Sequence, residues 1–163
     1  ENGKVNFHAT TLVYFCGNWY YVYKGVLDWN YTGVCSFYGE GYYVKDGVVD
    51  FSFTGMCLSG WYPAYIVKGI VNRSYTGLYD YNGTWYLIEN GYLVYESILF
   101  EQNGIVYFVD NGTVNFDFTG FVEVEGYWLY VEEGIWDFTF EGKVDLEEGT
   151  FAYIEEGVVV DIR

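Results

Sequence analysis

The chain has 163 residues, with 24% aromatics, 21 glycines and a single proline, a size that fits one domain and a composition that favours strands and turns over helices. Its formal charge of −16 repels phosphate backbones and anionic membranes, which argues against nucleic acid or lipid headgroups as partners. Three cysteines, Cys16, Cys35 and Cys57, match neither a metal-ligand spacing nor a disulfide framework, and they read as thiols.

Glu1 opens in mid-repeat, ahead of the turn signal Asn2-Gly3, so the chain reads as a processed product or a piece of something longer. Glycines then recur as Gly3, Gly25, Gly47, Gly69, Gly91, Gly112, Gly134 and Gly157, most of them 22 apart. A fixed period of this length is the mark of a repeat architecture. Taking each of these anchor glycines as position zero, three before it stand Val22, Val44, Ile66, Ile88, Val109, Val131 and Ile154. Two after it stand Val5, Leu27, Val49, Val71, Leu93, Val114, Trp136 and Val159. The residue before the anchor is often Asn or Asp, and Asn-Gly between two β-like runs predicts a two-residue hairpin turn.

Across such a turn, −3 faces +2, and continuing the alternation makes −5 face +4. Positions −3, +2, −5 and +4 are apolar and are expected to form the core face. The opposite face is expected to be open and wettable. It carries Tyr21, Tyr43, Tyr65 and Tyr130 at −4 and Trp19, Trp85 and Trp128 at −6, facing Asn6, Asp28, Asp50, Asn72, Asn115 and Asp137 at +3. Asp28, Asp50, Asn72 and Asn115 each open a recurring phrase ending in Tyr-Thr-Gly or Phe-Thr-Gly, as in Asp28-Trp29-Asn30-Tyr31-Thr32-Gly33, and it returns blurred as Asp137-Phe138-Thr139-Phe140-Glu141-Gly142. In the third repeat Pro63 falls inside the pattern and predicts a bulge or an edge, because proline cannot donate to a ladder.

The fold class predicted is all-β, a solenoid-like stack of about seven 22-residue repeats built from short antiparallel strands and hairpins, since no single hairpin buries its own apolar face. A closed barrel or propeller is the alternative. Residues 1–163 form a single repeat domain, with an incomplete first unit at 1–11 and a degenerate C-terminal cap at 143–163, where the +3 position becomes Val160.

Gly83-Thr84-Trp85-Tyr86 before Asn90-Gly91, and Asn18-Trp19-Tyr20-Tyr21-Val22 before Gly25, resemble the tandem aromatic–glycine repeats of Gram-positive surface and secreted proteins. These include choline-binding and glucan-binding cell-wall repeats, and Arg73-Ser74-Tyr75-Thr76-Gly77 is similar to repeats of gut clostridia. The resemblance implies a secreted or cell-surface module. In choline-binding members a tryptophan follows the Thr-Gly step and cages the ligand; here Val34, Met56, Leu78 and Phe121 stand there, so the residues favour sugar over choline.

Other signals carry less chemistry. His8 is the only histidine, which leaves no His-based triad and no metal cluster. Glu132-Glu133 and Glu147-Glu148 lie beside turns and read as solvated charge rather than a glycosidase pair. The +3 row could hold Ca²⁺, but bonds to its own turns explain it as well. The expected function is therefore a non-catalytic module without cofactor or metal, binding cell-wall or host glycan. Its ligand-binding residues are Trp19, Tyr21, Asp28, Tyr43, Asp50, Tyr65, Asn72, Trp85, Asn115, Trp128, Tyr130 and Asp137. The alternative is a structural or protein-interaction repeat whose partner is another surface protein. No membrane insertion is expected.

Overall fold

A computed structural model describes residues 8–146 and 149–163. The expectations placed on Asn2, Gly3, Val5, Asn6, Phe7, most of the first unit and the pair Glu147-Glu148 lie outside the described residues. Among the described residues there is no α-helix, and every strand pairing is antiparallel. The chain divides into two compact units, Glu1–Tyr81 with Ile88–Leu93, and Asn82–Leu87 with Val94–Arg163.

Each repeat supplies a first strand, a central strand and a short third strand. These are β1 (Thr11–Phe15), β2 (Asn18–Tyr23) and β3 (Val26–Leu27), then β4 (Gly33–Phe37), β5 (Glu40–Lys45) and β6 (Val48–Val49). The third set is β7 (Gly55–Cys57), β8 (Ala64–Val67) and β9 (Ile70–Val71); the fourth is β10 (Gly77–Tyr81), β11 (Thr84–Glu89) and β12 (Tyr92–Leu93). There follow β13 (Ile98–Gln102), β14 (Ile105–Asp110) and β15 (Thr113–Val114), then β16 (Gly120–Val124), β17 (Tyr127–Glu132) and β18 (Ile135–Trp136). The last set is β19 (Gly142–Asp145), β20 (Phe151–Glu155) and β21 (Val158–Ile162). Pro63 stands just ahead of β8 rather than inside it, which leaves β7 and β8 shorter than their counterparts.

The hairpin turns follow from the sequence. Asp46 and Gly47 both take positive φ, 47° and 77°, and Asn90 and Gly91 do the same at 51° and 83°, the signature of a type I′ turn. The turn sets the predicted register, so Val44 faces Val49, Ile66 faces Val71 and Val109 faces Val114. All of the −3 residues are buried, and Val44, Ile66, Ile88, Val109 and Val131 are wholly so. Full burial of such an aliphatic side chain contributes about 1.5–3 kcal/mol.

Repeats then stack through one recurring contact, in which a third strand pairs with the central strand of the repeat before it. In the first compact unit Tyr20 faces Val48, Tyr42 faces Ile70 and Ala64 faces Tyr92. In the second, Tyr86 faces Thr113, Tyr107 faces Ile135 and Leu129 faces Val158. Core clusters accordingly draw on neighbouring repeats: Tyr21, Cys35, Val44 and Val49 pack together, as do Tyr43, Cys57, Ile66 and Val71. Cys35 and Cys57 are free and buried, and burial pushes the Cys35 thiol up to about 11.

The expected division into two faces needs correcting at two positions. The third strand ends at +2, so the alternation does not continue to +4. At +3 the chain leaves the ladder through a side-chain turn, and the +4 residues swing outward: Trp29 is 55% exposed and Phe51 48%. The ring at +6 then returns over the −4 ring of its own repeat. Tyr31 stacks on Tyr21 at 3.9 Å and Phe53 on Tyr43 at 4.1 Å. The −4 side chains that were expected on an open face are consequently covered: Tyr21, Tyr43 and Tyr130 are buried and Tyr65 is half-buried.

The end of the second compact unit departs from the pattern. Ile154 faces Val159, but Tyr153 faces Asp161 and Ala152 faces Ile162, so the register shifts and Val160 bulges out. Elsewhere the −5 residue meets the +1 residue of a following repeat. Here Ile162 takes that place beside Ala152, and Phe151 and Arg163 exchange two backbone hydrogen bonds (2.6 and 2.9 Å).

Candidate functional site

The polar residues expected to touch ligand are engaged by their own turns. Asp28 Oδ1 accepts a hydrogen bond from the Asn30 backbone N–H at 3.0 Å. Asp50 Oδ1 accepts from both the N–H and the hydroxyl of Ser52, at 2.9 and 2.6 Å. The Ser74 hydroxyl donates to Asn72, the Asp117 N–H to Asn115, and Thr139 to Asp137. These bonds fix the bend that follows the third strand. Those to Ser52 and Thr139 hold the Asp50 and Asp137 carboxyls below their ordinary value. The hydroxyl of the Tyr-Thr-Gly or Phe-Thr-Gly phrase closes the joint to the next repeat. Thr32 Oγ1 accepts from the Asp46 N–H, Thr54 from Lys68 and Thr119 from Glu133.

The aromatic candidates divide by position. Tyr21, Tyr43, Tyr65 and Tyr130 lie under +6 rings, and desolvation raises the hydroxyl pKa of Tyr21, Tyr43 and Tyr130. Tyr43 still borders a recess of about 240 Å³ that Phe53, Met56, Cys57 and Tyr81 also line. Trp19 is half-buried between Tyr14 and Phe37, with ring centroids 5.3 and 5.2 Å away. Trp85 is half-buried beside Tyr107. Trp128 is 50% exposed and walls an apolar recess of about 210 Å³ with Phe121, Leu146, Ala152, Val159 and Ile162.

Three +4 rings that the sequence pattern assigned to the core face solvent in a fixed attitude. Trp29 meets the Tyr20 ring edge-on at 5.8 Å and 79°, and Phe51 meets Tyr42 at 6.3 Å and 86°. In the second compact unit Phe116, 39% exposed, is held by Tyr107 at 89° and by Trp85 at 87°. Perpendicular contacts of this kind are favourable and lock ring orientation. The available signal was the aromatic residue at both −5 and +4 in the same repeats, which reads equally well as core.

No protein-family model and no curated protein matches the chain. Among solved structures it is similar to choline-binding protein F from Streptococcus pneumoniae, at 20% identity and a TM-score of 0.39, over 93% of this chain and 52% of that one. It is also similar to CbpF in complex with ipratropium, at 18% identity and a TM-score of 0.42, over 94% and 48% of the respective chains. The chain thus spans about half the length of the structures it matches.

Two further features vary the pattern. In the third repeat +4 is Arg73, whose guanidinium lies 5.5 Å from the Tyr92 ring and donates to the Gly39 carbonyl at 2.7 Å. In the second repeat −6 is Gly41, where a Cβ would meet Val71 and the Tyr92 hydroxyl, so no tryptophan fits there. Among the described residues no three of His, Cys, Asp and Glu are grouped to hold a metal ion, and no helix is long and apolar enough to cross a membrane.

Proposed function

We propose that this chain is a non-catalytic repeat module, displayed at a cell surface or secreted, that holds cell-wall or host glycan on its +4 rings. The observation that carries this reading is the solvent exposure of Trp29, Phe51 and Phe116, each braced edge-on by a less exposed ring. A pyranose ring offers a face of C–H groups, and a flat aromatic side chain held in place meets that face at small entropic cost. Single stacking contacts are weak, and repetition on one scaffold raises avidity without a deep pocket. The shallow, open form of the site suits a polymer better than a small substrate.

The test is retention on purified wall polysaccharide. Trp29→Ala combined with Phe51→Ala should lower retention by about tenfold, since aromatic anchors dominate contact energies, while the β-sheet circular dichroism stays unchanged. Retention should vary little with salt, because neutral sugars release no counterions. Equal retention of the double variant and the parent chain on every glycan tried would refute the reading.

A further inference from the structure

We propose that the groove formed by Trp136, Phe138, Glu141, Glu155, Glu156 and Val160 is a docking site for an extended, lysine- or arginine-bearing segment of a partner protein. Two recesses of about 570 and 550 Å³ share Glu141, Glu156 and Val158, so they make one continuous trough in the second compact unit. An ammonium group is roughly the size of a water molecule, which occupies about 30 Å³. The trough therefore accommodates a run of residues rather than one small cation.

Its chemistry matches long basic side chains. The floor is apolar, with Phe138 52% and Val160 53% exposed. The Trp136 ring is fixed there by donating its Nε1–H to the Gly157 carbonyl at 3.1 Å and lies 6.1 Å from Phe138. The rim carries three carboxylates. Lysine and arginine lay aliphatic stems on apolar surface while their charged ends reach outward, and aromatic faces attract the same cations.

Charge complementarity points to the same occupant. Residues 121–163 carry 12 acids against two bases, Lys143 and Arg163. Those two bases are engaged elsewhere: Lys143 Nζ lies 3.1 Å from the Phe151 ring centroid and Arg163 pairs with Asp161. The rim thus presents net negative charge to any approaching chain, which steers a basic partner and repels an anionic one. The proposal does not rest on the glycan reading, because −5 of this repeat is Leu129, so Phe138 has no aromatic ring there to brace it as Tyr20 braces Trp29.

The experiment measures binding of a fluorescent oligolysine peptide, with a Gly-Ser peptide of equal length as the uncharged control. The parent chain should bind oligolysine in a salt-sensitive manner and ignore the control. Glu141→Gln with Glu156→Gln should weaken binding by about tenfold, and Phe138→Ala by about threefold or more, with circular dichroism unchanged. Glu123→Gln with Glu125→Gln removes the same charge outside the groove and should cost less than about twofold. Equal losses from the two double variants would overturn the proposal in favour of a diffuse field. Competition by tetramethylammonium at matched positive charge would overturn it in favour of a small-cation site. Glycan retention by the Glu141/Glu156 variant should be unchanged, so the two readings fail separately.

Discussion

At the scale of single residues, the +3 carboxylates and amides are turn-builders. Asp50 illustrates the consequence for pH. Its carboxyl lies below the ordinary 3.8 because the Ser52 hydroxyl and N–H bond the ionised form. A folded-state pKa lowered in this way contributes stability above the unfolded value, and that contribution is lost as pH falls through the folded one. Asp50→Asn retains an acceptor, as Asn72 and Asn115 do naturally, but loses the titration. The variant should be less stable at neutral pH by about 0.5 kcal/mol, a small figure because the site is screened by solvent. The gap should close below pH 3.8, measured as urea midpoints at both pH values. The sequence made the hydrogen-bonding option visible, because Ser, Asn or Thr recurs two positions after each acid. It did not reveal that the acid and the −4 tyrosine belong to different surroundings, since that depends on where the ladder stops.

At the scale of the strand and turn, the two glycine series separate in a way their common period conceals. Gly39 and Gly47 both take positive φ, at 85° and 77°. A Cβ on Gly39 meets nothing within 4 Å, whereas one on Gly47 would stand 2.6 Å from the Asp28 carbonyl oxygen and 2.9 Å from the Trp29 Cα. The first glycine answers only to its own turn, the second also to the repeat packed against it. Gly39→Ala should therefore cost about 1 kcal/mol, the penalty of a left-handed L-residue. Gly47→Ala should cost about 3 kcal/mol or more, because backbone must move as well. Equal midpoint shifts in urea would contradict this. The hairpin register was legible because an Asp-Gly turn and apolar residues at −3 and +2 specify the same pairing. Continuing that alternation to +4 failed because a two-residue third strand has no ladder left to impose it, and the Asx turn decides the direction instead. Tyr21 and Tyr43 were misplaced for the complementary reason. The ring that covers each lies beyond that turn, ten residues away in sequence.

At the scale of the molecule, the period of 22, the all-β composition and the acidic stretch over residues 121–163 were plain in the sequence. The joints between repeats were not, because they are made by backbone carbonyls and threonine hydroxyls that a one-letter pattern does not distinguish from ordinary turn residues. The fold-back of β21 was equally hidden: a run of three valines reads as an ordinary strand, and only the bulge at Val160 carries its end across to Ala152. That detour has a colloidal consequence. A strand with unpaired amides recruits strands from other molecules, and in this very aromatic chain such recruitment would propagate. With Phe151, Ala152 and Tyr153 already facing Arg163, Ile162 and Asp161, that side of β20 is taken. A chain shortened by Asp161, Ile162 and Arg163 should scatter light increasingly with concentration and time at neutral pH, where the parent remains clear. Clarity of the shortened chain at every concentration would show that Asp161, Ile162 and Arg163 serve packing alone and not the control of fibre growth.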